Sequence, residues 1–255
     1  MWGDVMADEL IGKRLIELSL RAYNNNYYTY TDFLGLAELG VLNELIKTGK
    51  IISSKVYIYG GARGCERVIA AFGNEESFGY KPEFPISCIE IKPVNVKYAD
   101  SLTHRDYLGS ILNLGIEREV VGDIIVKENA GYVFCHNKIA DYIVSGLERI
   151  KHTLVSLRIT DQVPDIMGDA VDISIQVSSE RIDAMIAKLY KMSRGDAAAL
   201  IKGRKVYVNG VLCESNSYSP KEEDMISVRG FGRFKSLGVV NTTKKGNSVV
   251  RILKW

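Results

Sequence analysis

Basic side chains are concentrated at the ends of two short predicted helices between residues 180 and 210. Arg181 precedes the first helix, Arg194 opens the second, and Lys202 lies at the end of the second. The amides at a helix N-terminus favour anions, and Arg and Lys side chains neutralise phosphates. This pattern predicts a surface that binds the phosphate backbone of a nucleic acid, which is recognition rather than bond-making chemistry.

Apolar residues and caps in the same segment define the elements that carry these charges. One helix face is predicted from apolar residues at i, i+3, i+4 and i+7, namely Ile182, Met185, Ile186 and Leu189. Ser193 is a predicted N-cap for the second helix, with Asp196 three residues later as its capping-box partner. Gly203 is a predicted C-cap, and Asn209-Gly210 predicts a tight hairpin turn.

The strongest candidates for phosphate contact lie where the helix ends bring positive charge together: Arg181, Arg194, Lys202, Arg204 and Lys205. Lys188 and Lys221 are better explained as solvated charges. The complete predicted RNA-binding set is Arg181, Lys191, Ser193, Arg194, Lys202, Arg204, Lys205, Asn209, Arg229, Phe231, Arg233 and Lys235.

The segment 229–235, Arg-Gly-Phe-Gly-Arg-Phe-Lys, alternates cationic and aromatic residues around two glycines. Such a pattern suits phosphate contact combined with base stacking. The alternative is a flexible turn whose Phe231 and Phe234 pack inward, and the sequence leaves both interpretations open.

The charge distribution separates the C-terminal part from the rest of the chain. The whole protein has 255 residues and a formal net charge of +2. Residues 180–255 contain 15 basic and 7 acidic residues, a net charge of +8, whereas the preceding 179 residues contain 18 basic and 24 acidic residues, a net charge of −6. Only the C-terminal part therefore has the electrostatic character of a nucleic-acid-binding protein.

The composition, 46% hydrophobic and 25% charged, predicts an ordinary globular protein. The four cysteines are far apart and include no C-x-x-C pair, so we expect buried or free thiols in a reducing cytoplasm and no metal site. Charged residues interrupt the opening stretch, and no apolar run is long enough for a membrane helix. We expect no cofactor and no membrane partner.

Three regions of an α+β protein are predicted. Residues 1–80 are expected to be mostly helical, with a helix capped by Thr31 or Asp32, a strand at 54–59 and a helix over 66–72. Residues 85–160 follow a strand-helix-strand-strand-helix-strand order, which predicts a ferredoxin-like or RRM-like domain. In that domain we expect a helix over 138–150. Residues 178–255 form the predicted RNA-binding domain, preceded by a strand over 173–177.

The order of helix, Ser193-Arg194 helix entry and Lys205-Val-Tyr-Val-Asn-Gly210 strand and turn resembles the ribosomal protein S-four type RNA-binding domain, the alpha-L motif. The whole chain resembles the YlmH family, in which a two-part N-terminal region precedes such a domain. The N-terminal segments that support this resemblance are Thr31–Leu34, Gly60-Gly61 with Glu66-Arg67, His104–Gly109, Leu114–Arg118 and Gly122–Ile124.

The resemblance implies action on the ribosome. It implies binding to ribosomal RNA of the large subunit and to peptidyl-tRNA, and support of the C-terminal tailing of stalled chains with an RqcH-type partner in ribosome-associated quality control. It also implies that Arg181 and Arg194 contact ribosomal RNA and tRNA, and that the protein is cytoplasmic and associated with ribosomes.

Enzymatic alternatives have less support in the sequence. His104-Arg105-Asp106 imitates a kinase catalytic triplet, but Ile111 stands where the required Asn would be. We therefore expect no catalytic residue. The alternatives that remain are an RNA-modifying enzyme of the pseudouridine synthase or methyltransferase type, and a protein associated with cell division.

Overall fold

A computed structural model describes residues 2–51, 55–163 and 170–255 of the chain, which divides into two units at residues 1–166 and 167–255. The predicted division of the first unit into residues 1–80 and 85–160 stays a prediction. Among the described residues, no helix has the length and apolar character needed to cross a membrane.

The first part of the N-terminal unit combines helices with a small sheet. Its elements are α1 (Trp2–Asn25), β1 (Thr29–Tyr30), α2 (Leu36–Lys47), β2 (Lys55–Tyr59), β3 (Ile69–Gly73) and the short α3 (Glu75–Phe78). The strands are antiparallel in the order β1-β3-β2. Helices and sheet share a core formed by Leu15, Ala22, Leu34, Leu42, Leu45, Ala70 and Phe72.

The predicted helix over residues 66–72 is wrong, because this segment contains the central strand β3. All five β3 residues are buried. A short run of apolar residues is compatible with a buried helix or with a buried strand, and periodicity alone does not distinguish them. The partners β1 and β2, one on each side, determine the outcome here.

The predicted capping of α2 by Thr31 or Asp32 is also wrong. The helix begins after Gly35, whose amide donates to the Glu38 carboxylate. Thr31 is buried and its hydroxyl accepts a hydrogen bond from the Ala70 amide at 2.9 Å. Asp32 forms an ion pair with Arg14 at 2.8 Å. Both side chains thus hold the start of this region against neighbouring elements rather than capping a helix.

The second part of the N-terminal unit has the predicted ferredoxin-like order. Its elements are β4 (Ile86–Pro93), α4 (His104–Leu112), β5 (Val121–Lys127), β6 (Ala130–His136), α5 (Asn137–Gly146), β7 (Arg149–Ile150) and β8 (Thr153–Ile159). The sheet is antiparallel in the order β5-β6-β4-β8-β7. The helix predicted over 138–150 ends at Gly146, since Arg149 and Ile150 pair with β8.

The two faces of this sheet have different partners. Side chains such as Ile89, Ile91 and Val133 pack with Tyr107 and Ile111 of α4 and with α5 residues in one core. Alternate positions on the same strands point to the other face. There Cys88 and Phe134 pack against Phe33 and Ile69 from the first part of the unit. The N-terminal region therefore covers a sheet face that an RRM-like domain would otherwise leave open.

Gly61 is required at this junction. It has a φ angle of +102°, and a Cβ atom at Gly61 would lie 2.3 Å from Cδ1 of Phe134. We expect Gly61→Ala to lower the free energy of unfolding by roughly 2 kcal/mol or more, because both backbone strain and overpacking result. Denaturant unfolding measures this change. Gly109→Ala in α4, where nothing lies within 4 Å of the added atom, is the matched control and should be neutral or stabilising.

The C-terminal unit packs two helices on a six-stranded antiparallel sheet in the order β11-β10-β12-β13-β14-β9. Its elements are β9 (Val171–Val177), α6 (Ile182–Tyr190), α7 (Arg194–Lys202), β10 (Val206–Val208), β11 (Val211–Leu212), β12 (Met225–Val228), β13 (Gly232–Thr242) and β14 (Ser248–Lys254). The apolar face predicted for the first helix is confirmed, since Ile182, Met185, Ile186 and Leu189 are all buried.

Candidate RNA-binding interface

The first turns of α6 and α7 meet at one buried carboxylate. Arg181, the N-cap residue of α6, donates from Nε to Oδ1 of Asp183 at 3.1 Å and from its Nη2 to Oδ2 at 3.2 Å. Arg194, the first residue of α7, donates from its Nη2 to the same Oδ2 at 2.8 Å. Two arginines that are 13 positions apart in the sequence are thus placed side by side by Asp183.

Burial and charge differ sharply within this group. Asp183 is only 5% exposed, whereas the side chains of Arg181 and Arg194 are 42% and 50% exposed. Burial pushes the pKa of Asp183 upward, but hydrogen bonds from Arg194 and Arg181 outweigh burial and lower that pKa below its ordinary value. The carboxylate is therefore ionised at neutral pH, and the group keeps an excess positive charge that faces solvent.

The N-terminus of α7 has the predicted capping box. The Asp196 amide donates to Oγ of Ser193 at 3.0 Å, and the Ser193 hydroxyl donates to the Asp196 carboxylate at 2.7 Å. Ser193 therefore acts within the fold, and the RNA contact assigned to it stays a prediction. The capping box fixes where α7 begins and so where Arg194 lies.

An open groove of about 490 Å³ lies beside this pair of arginines, between β9 and α6. Its basic side chains are Lys188, Lys191 and Arg194. Lys191, at the end of α6, is exposed and adopts a left-handed backbone conformation with φ of +54°. The groove extends the positive surface along α6 away from Asp183.

The remaining predicted lysines and arginines form a second group at the other end of α7. Lys202, Arg204 and Lys205 are exposed there, and the helix of 9 residues separates them from Arg194 by roughly 12 Å along its axis. The amide of Arg229 donates to the carbonyl of Lys205 at 2.9 Å, which joins this group to the turn after β12.

The structure separates the two interpretations of the segment 229–235 residue by residue. Phe234 is fully buried in the core of the unit, whereas Phe231 is 45% exposed. Arg229 lies over the ring of Tyr207 at 5.1 Å, and Arg233 lies over the ring of Trp255 at 5.6 Å. Lys235 forms an ion pair with Glu223. The inward-packing interpretation therefore fits Phe234 and does not fit Phe231.

Asn209 has an internal role in the hairpin that it begins. Its side chain donates to Asp224 at 2.7 Å and accepts from the Met225 amide at 2.9 Å. Asn209 and Gly210 have φ angles of +51° and +78°, as the predicted tight turn requires. RNA contact by Asn209 stays a prediction beside this structural role.

Sequence reasoning missed Asp183 as part of the interface. An acidic residue in the first turn of a helix is ordinarily explained by the helix dipole. The informative signal is that Asp183 lies beside Ile182 and close to Met185 on a helix that is otherwise buried, where an ionised group requires a partner. Only the tertiary structure identifies Arg194 as its second partner, beside Arg181.

The face of the RRM-like sheet that carries Phe134 is covered by the N-terminal region along its described central strands. Phe134 on β6 is buried against the N-terminal region. Glu90 on β4 accepts hydrogen bonds from Tyr132 at 3.0 Å and pairs with Lys92 at 2.7 Å and with Arg158. Hydrogen bonds from Arg158 and Lys92 lower the pKa of Glu90 to about 2. These groups are satisfied within the protein.

Two family matches follow the order seen in the structure. Residues 80–163 match the family described as the putative RNA-binding domain in YlmH, and residues 180–226 match the S4 domain. The predicted resemblance to YlmH and to the S4 domain is therefore confirmed over these residues. The α+β fold class, with a helical N-terminal region, an RRM-like sheet and a C-terminal S4 domain, is confirmed as well.

Relatives of known name are similar to this chain over part of its length. The ribosome-associated protein quality control protein P2 of Bacillus subtilis (strain 168) is 36% identical over 165 residues, which is 62% of this chain and 64% of that protein. The chain therefore matches less than two thirds of this relative's length. The cell division protein ylmH from Streptococcus pneumoniae is 25% identical, with a TM-score of 0.49 over 60% of this chain and 91% of that structure.

Proposed function

We propose that this chain is an RNA-binding protein that associates with the large ribosomal subunit and carries out no chemistry of its own. The observation that carries this proposal is the pair of exposed guanidinium groups, Arg181 and Arg194, held on the buried carboxylate of Asp183. The pair belongs to a domain that matches the S4 family.

Such a pair is suited to a phosphate. Arg presents its N–H donors in a rigid planar fork, and a bidentate contact with phosphate is stronger than a neutral hydrogen bond. Asp183 fixes one side of each guanidinium, so that little side-chain freedom is lost when an anion binds the exposed side. Two arginines and one carboxylate have a net positive charge, which a bound phosphate would neutralise.

The ribosomal setting is supported by the quality control protein P2, which is named for its association with the ribosome. We propose ribosomal RNA of the large subunit and tRNA as partners, and a role in the quality control of stalled chains together with an RqcH-type tailing factor. The basic domain would stabilise one tRNA position by clamping the RNA backbones.

Three of the thiols, those of Cys88, Cys135 and Cys213, give little support to an RNA-modifying enzyme that uses a cysteine nucleophile. Burial raises the pKa of Cys88 and of Cys135 to about 12 and also raises the pKa of Cys213. A thiol with such a pKa is almost entirely protonated at neutral pH, and the thiolate is the nucleophile. A methyltransferase should instead bind S-adenosylmethionine, and micromolar binding by isothermal titration would contradict the proposal.

Salt dependence provides a direct test of phosphate contact. Affinity for RNA is expected to fall roughly tenfold or more between about 50 and 200 mM salt, because several condensed counterions are released on binding. Fluorescence anisotropy with a labelled RNA measures the slope. An affinity that is insensitive to salt would show that binding does not depend on phosphates.

Sucrose-gradient sedimentation in lysate at low and moderate salt tests the ribosomal part of the proposal. The wild-type chain is expected to migrate with free large subunits, and a variant with alanine at Arg181 and Arg194 should not. Migration of the wild-type chain only at the top of the gradient would contradict ribosome association and favour an enzyme of free RNA or a division-associated protein.

A further inference from the structure

An exposed aromatic side chain lies at the tip of the turn between β12 and β13. The amide of Phe231 donates to the carbonyl of Val228 at 2.9 Å, which closes a β-turn with Gly230 at φ +87°. Gly232 follows with φ +109°. Two glycines with left-handed backbone thus place Phe231 away from the sheet, and its side chain is 45% exposed.

The Phe231 ring is supported on one side and open on another. Its centroid lies 5.5 Å from that of Tyr190 at the end of α6, with an interplanar angle of 56°. Tyr190 in turn contacts the buried ring of Phe234, with centroids 6.4 Å apart. Phe231 is therefore held against the core through Tyr190, and this fixed position lowers the entropy cost of stacking on its exposed side.

Two cations lie over aromatic rings close to this turn. The ammonium of Lys254 lies 4.9 Å from the centroid of Tyr190, and the guanidinium of Arg233 lies 5.6 Å from that of Trp255. Arg229 in the same turn is exposed. No acidic residue occurs in the sequence from Val228 to Ser236. The charged residues near Phe231 thus favour an anionic partner over a cationic or a purely apolar one.

We infer that Phe231 is a stacking site for one unpaired nucleobase of the bound RNA, with the neighbouring cations contacting the phosphates beside that base. An exposed aromatic ring among Arg and Lys side chains suits recognition of single-stranded or unstacked nucleotides. This inference rests on the proposed RNA-binding function and extends it, because the pair on Asp183 contacts backbone and does not distinguish a duplex from an unpaired base.

The test compares two synthetic RNAs: a short blunt duplex, and the same duplex with a single unpaired 2-aminopurine. The full chain is expected to bind the second RNA roughly fivefold more tightly or better, as base–aromatic stacking predicts, and to change the 2-aminopurine emission. Phe231→Ala should abolish both the preference and the emission change while binding of the blunt duplex is unchanged. Phe231→Tyr should retain both.

Two controls separate this site from the proposed function. Val240→Ala removes an exposed apolar side chain on β13, the strand after the turn, and should not change the affinity for either RNA. Alanine at Arg181 and Arg194 should weaken binding of both RNAs equally. Equal binding of the two RNAs by the wild-type chain, or an equal loss on both in Phe231→Ala, would overturn the stacking site and leave the proposed function standing. Binding of neither RNA would overturn both.

Discussion

Alanine at both Arg181 and Arg194 is expected to lower the affinity for RNA about 100-fold. Each guanidinium supplies a charge-assisted contact to phosphate, and losing about 1.4 kcal/mol for each corresponds to a tenfold loss in affinity. The loss should be similar for RNAs of different sequence, because phosphate contacts carry no sequence information. Anisotropy titrations at one fixed salt concentration measure it.

The stability of this double variant has to be controlled, because Asp183 would remain buried without either arginine. A buried carboxylate that loses its partners destabilises a protein by several kcal/mol. Adding Asp183→Asn removes the buried charge and leaves an oxygen that can accept from the Ala184 amide, which now donates to Asp183 at 2.9 Å. The triple variant should recover stability without recovering RNA binding.

Arg194→Ala alone is the complementary variant, since Arg181 still pairs with Asp183. It should unfold at nearly the wild-type denaturant concentration and bind RNA more weakly, by roughly tenfold. RNA affinity that is unchanged in Arg194→Ala would show that Arg194 makes no phosphate contact. RNA affinity that returns in the triple variant would show that the arginines act through folding rather than through phosphate contact.

Replacement of Arg67 by alanine is expected to lower the free energy of unfolding of the N-terminal unit by about 3 kcal/mol or more. The Arg67 side chain donates to the carbonyls of Val121 at 3.0 Å, Phe33 at 2.8 Å and Arg118 at 3.3 Å. It therefore joins the N-terminal region to the chain around the start of β5. Without the guanidinium, three partly buried carbonyls lose a donor at once.

Arg118 lies beside Arg67, so two positive charges are partly buried next to each other. Burial, followed by repulsion from Arg67, lowers the pKa of Arg118 to about 10. Both guanidiniums are held by carbonyl oxygens, and Arg118 donates to those of Val121 and Gly122. Polar backbone groups thus substitute for water around two adjacent cations. The stability of the unit therefore depends on how the Arg67 guanidinium is oriented toward these carbonyl oxygens.

Urea unfolding of the full chain, followed by a probe in the N-terminal unit, measures the effect of Arg67→Ala. Arg67→Lys should lose nearly as much stability, because an ammonium cannot reproduce the planar fork. Arg63→Ala, at an exposed position nearby, is the matched control and should stay within about 0.5 kcal/mol of wild type. If Arg67→Ala were as stable as Arg63→Ala, the proposed role of Arg67 in joining the two parts of the unit would be wrong.

Local patterns predicted the C-terminal unit well. The face formed by Ile182, Met185, Ile186 and Leu189, the cap at Ser193 and the turn at Asn209-Gly210 all have causes within a few residues of themselves. Helix periodicity, capping and positive φ are local properties, so the sequence contains the information needed to predict them. The positive charge of residues 180–255 is likewise a property of composition.

The tertiary structure determined the packing partners of these local elements. The run 69–73 is a strand because β1 and β2 flank it, and Phe134 is unavailable for stacking because Phe33 and Ile69 pack near it. Phe231 and Phe234 are three residues apart and differ in burial. Phe231 lies in the β12–β13 turn and is exposed, whereas Phe234 on β13 points into the core.

The sequence by itself determined the order of domains, the helices of the RNA-binding domain and the identity of its basic residues. The tertiary structure alone determined that Arg181 and Arg194 share Asp183, and that Arg67 holds two parts of one unit together. The physical reason is that an ion pair or a shared carbonyl between distant residues depends on distance in space, and spacing along the chain does not specify that distance.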